Sequence, residues 1–168
     1  VGRGRRATFD GRAEVVDLFT MPDPTDPNDV HKSRYEPAPF HEAIARHLEE
    51  FERGDFRQLI LTMPPRAGKT ELATKRFVAW YLGRNPFDNV AVATYSDTMA
   101  EDYGSDIRFI MQSPAYKQVF PAMKLRRGGA AKSNIQTEKG GRAVFVGVGG
   151  ALTGRGANLL VIDDVVKG

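Results

Sequence analysis

A chain of 168 residues, 41% of them hydrophobic, suffices for one globular domain with its own core and is too short for two catalytic domains. Lys and Arg number 24 against 21 Asp and Glu, a formal charge of +3 that permits nucleic-acid binding without demonstrating it. The lack of cysteine excludes disulfides and thiolate chemistry, and no apolar run reaches the roughly 18 residues of a bilayer span, so composition predicts a soluble, cytoplasmic protein with no membrane partner.

Residues 1–39 are rich in Arg, Gly, Asp and Pro, and Met21-Pro22-Asp23-Pro24-Thr25-Asp26-Pro27 suits neither a regular helix nor a central strand. This stretch reads as a flexible leader. Because the chain opens at Val1 with no starting Met, it also reads as a fragment. At Phe40 an apolar stripe begins (Phe40, Ile44, Leu48, Phe51) and stops at Gly54, which predicts a buried helix opening a domain over 40–168. His41 and His47 read as ordinary helix residues, and with His31 they offer no metal spacing.

Leu59-Ile60-Leu61-Thr62-Met63 reads as a buried parallel strand, and Leu72, Phe77, Trp80 and Tyr81 mark a helix ended by Gly83 and Pro86. A second strand follows at Asn89–Thr94, then a helix marked by Met99, Tyr103, Ile107, Ile110 and Met111, then strands over 143–148 and 159–162. Alternating strands and helices predict a doubly wound, mainly parallel α/β sheet. Between Lys124 and Arg142 stand six basic residues (Lys124, Arg126, Arg127, Lys132, Lys139, Arg142) against the single acid Glu138, and Arg3, Arg5, Arg6 and Arg12 add charge near the start. Such runs are either solvated surface or nucleic-acid contacts.

Two motifs carry chemistry. Met63-Pro64-Pro65-Arg66-Ala67-Gly68-Lys69-Thr70, between the first strand and the following helix, ends in the Gly-Lys-Thr of a phosphate loop. Helix-start N–H groups and Gly68 let phosphate approach, Lys69 neutralises its charge, and the Thr70 hydroxyl suits Mg²⁺. The first glycine of the general pattern is replaced by Met63, so two prolines turn the loop. Downstream, Leu159-Leu160-Val161-Ile162 delivers Asp163 and Asp164 at a strand's C-terminal edge, where open parallel sheets bind ligands. Asp163 suits the metal, and Asp164 the attacking water. Gly147, Gly149, Gly150, Gly154 and Gly156 precede a strand, which rules out a dinucleotide fingerprint, because that must open a helix.

Taken in order, Pro64-Pro65-Arg66-Ala67-Gly68-Lys69-Thr70, Ala93-Thr94-Tyr95-Ser96, and Leu152-Thr153-Gly154-Arg155-Gly156-Ala157-Asn158 running into Asp163-Asp164 resemble the large terminase subunit of tailed phages. The resemblance covers roughly residue 40 to the end, and that family's P-P-R-x-G-K-[ST] loop accounts for Met63. It implies a P-loop NTPase of the additional-strand class, incomplete at the C-terminus, with a sheet gap between the strands bearing the two motifs. It implies an ATPase motor that packages double-stranded DNA, using ATP and Mg²⁺ in the host cytoplasm. Its implied partners are a portal protein, a small terminase subunit and other copies in a ring, and the nuclease domain lies outside this chain.

By the same resemblance Asp164, Lys69 and Arg66 are the catalytic candidates, and Pro65, Arg66, Ala67, Gly68, Lys69 and Thr70 hold the nucleotide. Thr70 and Asp163 hold the metal. Arg66 becomes a cationic sensor of γ-phosphate, Ala93-Thr94-Tyr95-Ser96 a segment coupling nucleotide state to DNA, and Phe40-His41 lies where relatives contact adenine. Arg155 faces phosphate or DNA, or tips a hairpin. The competing readings are a helicase-like DNA-dependent ATPase and a non-catalytic DNA-binding or assembly module.

Overall fold

In the computed structural model, residues 14, 15, 18, 37–126, 133–150 and 156–166 are described. Helix α1 (Pro39–Arg53) starts on a proline, whose missing N–H costs nothing at a first helical position, and ends at Gly54, left-handed at φ 86°. Its buried face is His41, Ala45 and Leu48, with Ile44 and Phe51 packed partly against the core. Phe40, expected on that stripe, is instead an exposed ring.

After the loop at 64–69 the chain winds a π-helical stretch, Thr70–Arg76, in which the Phe77 N–H reaches back five residues to Leu72. This stretch runs straight into α2 (Phe77–Arg84), where every residue from Phe77 to Leu82 is buried. A helix apolar all round belongs inside a domain. Strand β1 (Asn89–Thr94) follows, then α3 (Asp97–Gln112), capped by the Ser96 hydroxyl accepting from the Met99 N–H at 3.2 Å, and α4 (Pro114–Val119), capped likewise by Ser113.

Strands β2 (Asn134–Gln136), β3 (Arg142–Gly147) and β4 (Leu159–Ile162) complete one sheet in the order β2-β3-β1-β4. Central β1 runs parallel to β3 and β4, and β2 lies antiparallel on the edge beyond β3. The fold is α/β, a four-stranded, mainly parallel sheet flanked by helices. Parallel strands put their C-terminal ends on one rim, and that rim carries the loop after β4.

Two sequence expectations meet a different outcome. Residues 59–63 form no strand: Leu59 and Leu61 pack partly against the core while Ile60 is 89% exposed. The run keeps the one-sided alternation of a strand, but a strand needs a hydrogen-bonding neighbour, and among the described residues β4 pairs only with β1. Within the segment read as a flexible leader, Val15 and Leu18 are fully buried in the core. Val15 N–H donates to Glu49 at 2.7 Å, and the Leu18 carbonyl accepts from buried Arg76 at 2.9 Å. The proline-rich run 21–27 and the basic residues at 3, 5, 6 and 12 lie outside the described residues, as do His31, Arg127, Lys132 and 152–155. No helix among the described residues is long and apolar enough to cross a membrane.

Candidate functional site

The Gly-Lys-Thr loop and the Asp-Asp pair, 95 residues apart, meet at the C-terminal rim of the sheet. Lys69 Nζ lies 3.1 Å from Asp163 Oδ1 and 3.1 Å from Asp164 Oδ1, so one ammonium bridges both carboxylates. The two aspartates differ sharply in setting. Asp163 has a side chain only 5% exposed, held by the backbone N–H donated to Ala93 O at the end of β4 and by Thr74, whose hydroxyl donates to Oδ2 at 2.9 Å. Asp164, one residue on, is 52% exposed.

Beside this bridge opens a cavity of about 470 Å³ lined by residues 63–71 and Asp164. All six residues predicted to hold a nucleotide, from Pro65 to Thr70, are therefore in its wall. Arg66 (φ 62°) and Asp164 (φ 49°) are the only non-glycine residues with positive φ among the described residues, and both line it. Left-handed backbone at such residues costs about 1–3 kcal/mol each and persists where the surroundings enforce it, commonly at sites of function. Gly68, at φ 80°, adopts the same region without that cost. The Ala67 N–H closes a turn onto the Pro64 carbonyl at 3.3 Å, and the Leu72 N–H bonds the Gly68 carbonyl at 2.9 Å, starting the helix.

Electrostatics follow from the packing. The bond to Asp163 raises the Lys69 pKa above its ordinary value, against some desolvation, with Asp164 adding to it. Tyr103 of α3 is buried against the site, hydrogen-bonded to Thr70; burial, then the Asp163 charge, pushes its phenol up. Lys75 stacks over the same ring, its Nζ 5.3 Å from the centroid, and pairs with Asp106.

Three residues touch the site in ways the motifs do not indicate: Thr74 and Tyr103 carry no signal for it, and His41, placed near adenine by resemblance and otherwise read as a helix residue, holds the loop instead. His41 accepts from the Ala38 N–H at Nδ1 (2.9 Å), which leaves the proton on Nε2 to donate to the Ala67 carbonyl at 2.9 Å, so the helix residue fastens the loop. Thr74 sits one helical step from Thr70, a spacing that places both on one face. Tyr103 carried only a core-helix signal, because its contact with Thr70 depends on how α3 packs. The Ala93-Thr94-Tyr95-Ser96 segment leaves β1 on the same rim: the Thr94 carbonyl accepts from Val148, and Asp97 Oδ1 accepts from the Gly147 N–H at 3.0 Å, tying the ends of β1 and β3 together. Arg155 lies outside the described residues.

A site that binds Mg²⁺ through one or two carboxylates and substrate phosphates needs no cage of protein ligands. Among the described residues no group of three or more His, Asp or Glu is arranged to hold a metal, whereas a hydroxyl, a buried carboxylate and an exposed one lie around Lys69. This donor set fits a magnesium nucleotide. Compared with protein-family models, with curated proteins and with solved structures, the chain gives no match.

Proposed function

We propose that the rim cavity binds and hydrolyses ATP with Mg²⁺, and that the chain is the ATPase part of a DNA-packaging motor of the phage terminase large-subunit type. The observation that carries the reading is the Lys69 ammonium bridging Asp163 and Asp164 beside a loop, left-handed at Arg66, that walls a cavity of about 470 Å³. Cation, hydroxyl and carboxylates are the set that phosphoryl transfer requires. Double-stranded DNA, a portal protein, a small terminase subunit and a ring of copies in the host cytoplasm belong to the same proposal and rest on the resemblance of the motifs.

On this reading Lys69 leaves the two carboxylates for the β and γ phosphates as the nucleotide enters, and Pro65, Arg66, Ala67 and Gly68 wrap the phosphate chain. Magnesium, when bound, neutralises phosphate charge. Thr70 and Asp163 would ligate it, with Thr74, bonded to Asp163, and Tyr103, beside Thr70, orienting them. Asp164, the exposed carboxylate, orients the water that attacks γ-phosphorus while the bond to the β-bridging oxygen breaks. Arg66, whose side chain is exposed on the loop, offers a guanidinium to the charge that builds on the γ oxygens.

The test is steady-state turnover with Mg²⁺, with and without double-stranded DNA, in the wild-type chain, Lys69→Ala and Asp164→Ala. The expected result is DNA-stimulated hydrolysis that each substitution lowers by about 10²-fold or more. Turnover unchanged in Lys69→Ala, or no ATP binding by the wild-type chain, overturns the reading. DNA binding indifferent to Lys69→Ala in a chain without turnover would favour a non-catalytic assembly module instead.

A further inference from the structure

A second depression, of about 350 Å³, lies at the other end of the sheet and is lined by Asn89, Arg126, Gln136, Thr137 and Arg142. Asn89 and Arg142 are the first residues of parallel β1 and β3 and face each other in register, and Gln136 pairs with Arg142 from antiparallel β2. Six-residue strands separate this end from the Asp163 rim by about 17 Å. The two cavities therefore occupy opposite ends of one sheet.

Its walls are built from backbone hydrogen bonds. Arg126 N–H donates to Gln136 O at 2.8 Å, Arg142 N–H to Asp88 O at 2.9 Å, and the Thr137 hydroxyl to Pro86 O at 2.6 Å. Gly141 is held so close that a Cβ would lie 2.4 Å from the Pro86 carbonyl. Lys124 and Arg126 flank Leu125, which bridges Thr137, so the two cations lie two residues apart and share one side of an extended segment. Lys139 stands on the rim, its Nζ 5.6 Å from the ring of Phe87, which is 69% exposed.

No acid lines the depression. Glu138 is exposed on the rim beside Lys139, and the Asp88 carboxylate accepts the Tyr81 hydroxyl at 2.8 Å. Among the described residues none of Lys124, Arg126, Lys139 and Arg142 forms an ion pair, whereas Lys69, Lys75, Arg76 and Arg84 all do. Arginine forks and lysines joined by Asn and Gln side chains are the chemistry that grips nucleic-acid phosphates. Cations spaced along an extended segment suit a linear polyanion with repeating charges better than a single phosphate.

We propose that this basic end of the sheet binds the phosphate backbone of duplex DNA, independently of base sequence. The proposal rests on the DNA partner inferred above and assigns it a surface remote from the ATP cavity. Since β1 and β3 run from the basic end to the Asp163 rim, the same strands underlie both sites.

The experiment titrates a fluorescent random-sequence duplex with the full chain at several salt concentrations, comparing wild type with Arg126→Gln/Arg142→Gln and with the exposed pair Lys124→Gln/Lys139→Gln. DNA-independent ATP turnover and thermal unfolding are read in parallel. Each double substitution is expected to weaken DNA binding about tenfold or more and to flatten the log–log salt slope by about 2, near 0.9 per lost phosphate contact, with turnover in the absence of DNA unchanged. Wild-type affinity and slope in the lysine pair, which does not disturb the walls, overturn the surface assignment even if ATP is hydrolysed. Equal displacement by polyglutamate overturns the commitment to DNA. Substitution-sensitive DNA binding without any ATP turnover upholds this surface and removes the motor reading.

Discussion

His41 sits between two backbones and does something different for each nitrogen. Nδ1 accepts the Ala38 N–H at the start of α1, and Nε2 donates to the Ala67 carbonyl one residue before Gly68. Gln can reproduce the distal donor and Asn the proximal acceptor. His41→Asn is expected to weaken ATP binding about fivefold, a hydrogen bond's worth of roughly 1 kcal/mol, while His41→Gln holds near wild-type affinity and loses only helix-end stability. Nucleotide titration alongside thermal unfolding separates them, and equal affinities in the two variants would remove His41 from loop positioning. Residue type alone did not reveal this role. A histidine two residues into a helix looks the same in sequence whether it faces solvent, core or a loop 26 residues away.

At the scale of elements, the π-wound stretch Thr70–Arg76 carries Thr74 to Asp163 and Thr70 to Tyr103. Thr74→Val keeps the shape of the side chain and leaves Asp163 Oδ2 without that donor in a nearly closed setting. We expect a loss of about 1–3 kcal/mol in stability, measured by denaturant unfolding, together with reduced turnover; no change in either would mean that water replaces the hydroxyl freely. The spans read from periodicity for β1 and β4 coincide with the observed strands, because buried apolar runs bounded by turn residues leave few alternatives. α4 and β2 carried no such signal. The first is six residues long and defined by its Ser113 cap and Pro114, and the second is three residues whose strand character comes from pairing with β3. Residues 59–63 illustrate the converse, since an apolar run with strand spacing remains outside the sheet when no neighbouring strand bonds to it.

Across the whole molecule, β4 is paired on one side only among the described residues, and one of its faces exposes Leu160 and Ile162, with Val166 just beyond it and Ile60 exposed on the separate unpaired run 59–63. Unpaired edges of this kind favour association. Ile60→Lys is expected to keep folding stability within about 0.5 kcal/mol and to reduce concentration-dependent association in sedimentation; unchanged association would show that this run is not the contact. A second molecule-wide expectation concerns alkali. Bonding to Asp163 raises the Lys69 pKa; at Lys75 burial is the largest single effect and lowers it, but the bond to Asp106 and the charges of Asp106, Glu71 and Tyr103 together raise it; and burial raises Tyr81, Tyr103 and Tyr116. Each folded-state pKa stands above its unfolded value, so the native state keeps protons that the unfolded chain has released. Their contribution to stability is fully present below about pH 10 and declines as pH rises, at about 1.4 kcal/mol per pH unit for each group between its two pKa values. Denaturant midpoints flat from pH 7 to 9 and falling above 10 are the expected profile, and a midpoint rising above pH 10 would contradict these settings.

By itself the sequence determined the α/β alternation, the spans of β1 and β4, and the two chemical motifs, since hydrophobic spacing and a Gly-Lys-Thr or Asp-Asp run are local properties of neighbouring residues. Tertiary structure alone decided that Lys69 bridges carboxylates from the far end of the chain and that His41, Thr74 and Tyr103 surround them. It also decided that Val15 and Leu18 are buried in the core, that Ile60 is not, and that four cations share an unneutralised end of the sheet. Contacts between segments far apart in the chain depend on which faces pack together, and that is settled by the summed burial and hydrogen bonding of the whole fold.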